Sequence, residues 1–101
     1  MGMDMNKLMK QAQQMQEQMQ KAQEEAASIV VEGSAGGMVT VKATAAGEVI
    51  EVKIAKDAID PDDPEMLEDL VLAAVNNALH AAETAMQQKM NPLMDGLELG
   101  L

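Results

Sequence analysis

Along the chain the apolar positions change their period twice. Met5, Leu8, Ala12, Met15, Met19, Ala22 and Ala26 are spaced three and four apart, which is the a/d seam of a helix about three heptads long. Gln, Lys and Glu fill the positions between, all good helix formers, and Asp4 stands where an N-cap belongs. The pattern predicts a helix over about 4–27 with a seam narrow enough for one helical neighbour. From Ile29 to Ile54 the period becomes two. Val39, Val41 and Ala43 fall on one face of a strand and Thr40, Lys42 and Thr44 on the other, and Ile50, Val52 and Ile54 share a face in the next run. Ala46-Gly47 supplies a hairpin turn between these runs. Ile29-Val30-Val31-Glu32 reads as a further strand, joined to its neighbour by a loop, Gly33-Ser34-Ala35-Gly36-Gly37. Strands at about 28–33, 37–44 and 47–55 would form a three-stranded antiparallel meander with one apolar face to be covered.

A second helical pattern follows and is broader. Leu67, Leu70, Val71, Ala74, Val75, Ala78, Ala82 and Met86 occupy about half the circumference of a helix. Asp63-Pro64 caps and opens it, with Glu65, Glu68 and Asp69 in its first turns. Asn91-Pro92 is expected to end it, because a residue before proline is pushed out of the α region. This helix, about 64–90, is the one expected to lie on the sheet, and the tail 91–101 reads as mobile. The order predicts one α+β domain over 1–101: long N-terminal helix, meander, long C-terminal helix. Helices of about 36 and 40 Å overshoot strands of about 23 Å. Their overhanging Met and Ala seams need each other or another chain, so a homodimer with protruding helices is expected.

Composition narrows the chemistry. Phe, Tyr, Trp, Cys and Arg are all absent, and Met occurs 11 times. Without aromatic rings there is no platform on which bases stack, and without Arg no bidentate guanine reader. The absence of Cys removes disulfides and thiolate metal sites and fits a reducing cytosol. The longest apolar run, Leu70 to Val75, is too short to span a bilayer, and the N-terminus lacks a signal pattern, so a soluble intracellular protein is expected. Met1 to Met3 carry no signal of their own.

Charge is unevenly placed. The net charge of −10 sits almost wholly beyond residue 56, where Lys89 alone faces ten acids, beginning with Asp57, Asp60, Asp62 and Asp63. The first helix, by contrast, holds Lys7, Lys10 and Lys21 within about 60° of one another on the wheel, on the side away from the seam, with Gln14 and Gln18 in the same stripe. Three lysines over about 21 Å could track phosphates. From these residues alone a solvated helix face is the plainer reading, since Glu17 and Glu25 flank the stripe.

Catalytic patterns are lacking. His80 has only Glu83 nearby on its helix as a second metal ligand, Ser28 and Ser34 have no evident base, and no phosphate loop or dinucleotide fingerprint occurs. The acidic loop lacks the spacing and closing Glu of an EF-hand. Neither an enzyme nor a cofactor is expected.

The run Leu8-Met9-Lys10-Gln11-Ala12-Gln13-Gln14-Met15-Gln16-Glu17, followed by Met19-Gln20-Lys21 and Gln23-Glu24-Glu25, resembles the first helix of the YbaB/EbfC nucleoid-associated proteins. The likeness continues through Gly36-Gly37-Met38-Val39-Thr40-Val41, the turn at Gly47, Met66-Leu67-Glu68-Asp69-Leu70-Val71 with Ala73-Ala74 and Asn76, and Lys89-Met90. It covers nearly the whole chain in order. The resemblance implies an α-β-β-β-α fold, a tight homodimer, a bacterial or organellar nucleoid setting in the cytoplasm, binding of double-stranded DNA that affects nucleoid organisation or gene expression, and a link to a recombination-repair protein. Members often carry further basic residues near the positions of Gln18, Ile50, Glu51, His80 and Ala81, and a Gly- and Pro-rich tail without Asp95 and Glu98. With the resemblance, the stripe becomes the expected DNA site: Lys7, Lys10 and Lys21 of both protomers on phosphates, Gln14 as a neutral donor, and little sequence preference. The alternative is an acidic protein-interaction module that docks a basic partner or mimics DNA. A prefoldin-like holdase is a third reading, although the helices look short for its tentacles.

Overall fold

The structure, a computed structural model, describes residues 4–99 and, among these, the side chains of 4–91. Met1 to Met3 and the last two residues of the expected tail, 100–101, lie outside the described residues. The elements run α1 (Met5–Ala26), β1 (Val30–Ala35), β2 (Val39–Thr44), β3 (Val49–Ile54), a 3-10 turn (Lys56–Ala58) and α2 (Pro64–Leu99). The strands form one antiparallel sheet in the order β1-β2-β3. The expected α+β order is therefore present.

Local chemistry sets the ends of the elements. Asp4 caps α1, its carboxylate accepting from the Asn6 amide at 3.1 Å. Asp63 does the same for α2, accepting from the Met66 amide at 3.3 Å. The hairpin glycine expected at Gly47 has φ of 92°. At its far end α2 departs from expectation: it runs through Pro92 to Leu99 rather than stopping near Met90. The proline lacks an amide for the carbonyl one turn back. A helix already nucleated over seven turns, however, needs only propagation to continue, and the Leu, Met and Glu residues that follow support it.

The core is small-sided. Val39, Val41 and Ala43 of β2 are fully buried under Ala74 and Ala78 of α2, with Val31, Ala35, Leu67, Leu70, Val71 and Val75 packed around them. Alanine at 74 and 78 lets the helix backbone come down close to the sheet. Gly33 makes the closest approach possible: a Cβ there would stand 2.1 Å from the Ala78 nitrogen. The Asn77 side chain also donates to the Ser34 carbonyl at 2.9 Å. These contacts explain a second departure, since Gly33 to Ala35 are strand, not loop. The turn falls on Gly36 and Gly37, both with positive φ.

A third departure concerns β3. The register sets Val52 opposite Val41 and Ile54 opposite Val39, on the face expected, but a bulge at Lys42/Ala43 puts Val49, not Ile50, opposite Ala43. α2 lies over β1 and β2 and barely reaches β3. Val49, Ile50, Val52 and Ile54 consequently remain 38–50% exposed.

Candidate nucleic-acid interface

α1 leaves the body of the molecule. Only its last turn and a half is packed, through Ala22 and Ala26, and residues 4–21 are exposed on every side. The principal extents, 75 × 20 × 18 Å, express this projection and the length of α2.

Lys7, Lys10, Gln14 and Lys21 all stand on this projecting helix and all are exposed. The structure brings them together as one stripe because α1 is unbroken from Met5 to Ala26. Within the described residues none of the three lysines enters an ion pair. Lys53 and Lys56 are likewise exposed and unpaired among the described residues, whereas Lys42 and Lys89 differ. Lys42 lies between Glu32 at 3.8 Å and Glu51 at 3.6 Å on the polar face of the sheet, and Lys89 of α2 pairs with Glu25 of α1.

The Glu25–Lys89 pair was not visible in the sequence, where 64 residues separate the partners. It ties the base of α1 to α2. The Lys89 ammonium, by hydrogen bond and by charge, holds the Glu25 carboxyl below the usual glutamate range, and Lys21 one turn earlier acts in the same direction. Glu25 and Lys89 are 44% and 32% exposed, so both are reachable from solvent.

The acids of the second half are arranged differently. Asp57, Asp60, Asp62, Asp63, Glu65, Glu68 and Asp69 are exposed around the loop and the start of α2, and none enters an ion pair within the described residues. His80 is exposed and lies 3.8 Å from Glu83. Among the described residues no group of three or more His, Cys, Asp or Glu side chains is placed to hold a metal ion, and no helix is long and apolar enough to cross a membrane.

The meander backed by one long helix, with a second helix projecting as a lysine-striped arm, defines an α+β protein with an exposed, cation-bearing arm. Comparison with known sequences makes the class specific. Residues 1–97 match the YbaB/EbfC DNA-binding family, and the chain belongs to it. It is 48% identical over 97 residues to a nucleoid-associated protein of Chloroflexus aurantiacus, covering 95% of this chain and 97% of that one. It is 50% identical over 99 residues to a nucleoid-associated protein of Clostridium novyi, covering 97% of this chain and 87% of that one. Among solved structures, an uncharacterized protein of Helicobacter pylori superposes with a TM-score of 0.79 at 20% identity, covering 92% of this chain and 99% of that one. That likeness shows the shared fold.

Proposed function

We propose that the protein is a nucleoid-associated, non-catalytic binder of double-stranded DNA that reads the phosphate backbone and not the bases, and so affects nucleoid organisation or gene expression with little sequence specificity. The observation that carries this reading is the projecting α1, exposed on all sides over residues 4–21, with Lys7, Lys10 and Lys21 unpaired among the described residues in one stripe. Flexible lysine ammoniums suit phosphate as point charges, and Gln14 between them adds a neutral donor. No Arg or aromatic side chain is present to read a base edge or stack on a base. The setting proposed is the nucleoid in a bacterial cytoplasm.

The active form on this reading is a homodimer. The uncovered apolar surface supports it: Val49, Ile50, Val52 and Ile54 on edge strand β3, and Met5, Leu8, Met15 and Met19 along α1, all at least 38% exposed. A second copy would cover such patches and set two lysine arms on one assembly. A dimer near twice the net charge of −10 can hold DNA only where its few lysines are concentrated, which the arm achieves.

The test is the triple substitution Lys7→Glu, Lys10→Glu, Lys21→Glu, followed by duplex binding and circular dichroism. Binding should be lost with helicity unchanged; retained binding would remove the stripe from the site. The exposed acids from Asp57 to Asp69, unpaired among the described residues, favour a second reading, in which this face docks a basic protein partner, from recombinational repair on the family resemblance. If the unaltered protein leaves duplex DNA unbound even at low salt, that reading takes over.

A further inference from the structure

We propose that Lys89 of α2 is a further phosphate-contacting residue of the DNA surface, and that Glu25 is a built-in competitor that occupies it while DNA is absent. The inference rests on the DNA-binding reading above. Its ground is the position at which the Glu25–Lys89 pair forms. At 100° per residue, Glu25 falls in line with Lys7 and about 40° from Lys21, at the edge of the lysine stripe. By reaching Glu25, Lys89 therefore joins the stripe at its base, about 6 Å beyond Lys21 along the axis. The only lysine of the acidic half is thus placed where the basic arm begins.

The chemistry of exchange is favourable. Glu25 sets a carboxylate oxygen against Lys89 and acts on Lys21 through charge alone, as a phosphate would act on the same two ammoniums. The pair is partly exposed, and ion pairs in that setting contribute little to stability, so a phosphate can displace the carboxylate at small cost. Counterion release from the DNA then favours the phosphate. In free protein Glu25 cancels one of the two charges and attenuates binding.

A purely structural latch predicts the opposite sign for loss of the carboxylate. If Glu25–Lys89 served only to orient α1, Glu25→Gln would loosen the arm and weaken binding. If Glu25 competes with phosphate, Glu25→Gln binds duplex several-fold more tightly at about 50 mM salt. The experiment is anisotropy of a labelled duplex titrated with the full chain bearing Glu25→Gln, Lys89→Met or Lys89→Arg, with circular dichroism as the folding control. Lys89→Met should bind more weakly and flatten the log–log salt slope by about 0.9 per lysine, so by about 2 for a dimer, whereas Lys89→Arg should keep the slope. Weaker or unchanged binding by Glu25→Gln, or an unchanged slope in Lys89→Met, overturns the proposal while leaving the α1 stripe in place. Failure of every form, the unaltered protein included, to bind at about 50 mM salt removes the DNA reading itself.

Discussion

The two helices carry apolar seams of similar spacing and meet different surroundings. Along α2, Ala74, Ala78 and Ala82 are at most 1% exposed, pressed against or beside the sheet. Along α1, Leu8, Met15 and Met19 recur with a comparable spacing and remain 42–51% exposed. The difference lies in side-chain size and in the width of the apolar face. Alanine allows backbone to approach backbone, as Gly33 allows from the strand side, and a face half the circumference wide can sit on a sheet. A narrow seam of long, flexible Met side chains suits another helix, and none among the described residues supplies it. One helix builds the fold and the other displays chemistry.

The sharpest way to break this contrast is at the closest contact of α2. Gly33→Ala sets a methyl group 2.1 Å from the Ala78 nitrogen, against backbone that cannot swing aside. It should destabilise the protein by about 3 kcal/mol, the upper part of the usual range for overpacking, measured by urea unfolding. A stability within about 0.5 kcal/mol of the parent would mean that α2 sits farther from β1.

The next contrast is between two valines paired across β2 and β3. Val41 is fully buried and its register partner Val52 is 45% exposed. Val41→Ala should cost about 2 kcal/mol at any protein concentration. Val52→Ala should cost clearly less at low concentration and approach the same value as the protein is concentrated, if a second copy covers β3. Concentration-independent, equally small effects at Val52 would remove β3 from the dimer interface.

The smallest effect concerns the junction of the two helices. Because Lys89 and Lys21 lower the Glu25 pKa in the folded chain, the ionised pair favours folding above the ordinary glutamate pKa, and that contribution is lost as pH falls through the lowered value. Carbon-detected NMR titration should place the Glu25 midpoint below the ordinary range and return it toward that range in Lys89→Met. An unshifted midpoint in the unaltered protein would show the pair open in solution.

Much of this architecture is legible in the sequence. The three-four spacing of α1, the alternation of Val39, Val41 and Ala43, and the caps at Asp4 and Asp63 are local signals, and each is found in place. What was misread depends on neighbours distant in sequence. Gly33 looks like a loop residue until the backbone of α2 is set against it. Pro92 looks like a terminus because the rule for the residue before proline ignores the long helix already formed. The exposure of β3 follows from where α2 crosses the sheet, which no periodicity records. For the candidate site, a wheel suffices to align Lys7, Lys10, Gln14 and Lys21, whereas Lys89 entered the picture only through its contact with Glu25.

The most direct test of the lysine arm is anisotropy of a labelled DNA duplex titrated with the unaltered protein at about 50 and 200 mM salt. Two protomers with three arm lysines each give a log–log slope of about −5 if all six touch phosphate, and about −7 if Lys89 joins them. Binding with a slope at least as steep as about −5 is the result expected. No binding at the lower salt, or binding that salt leaves unchanged, would contradict the claim that the arm holds DNA by its phosphates.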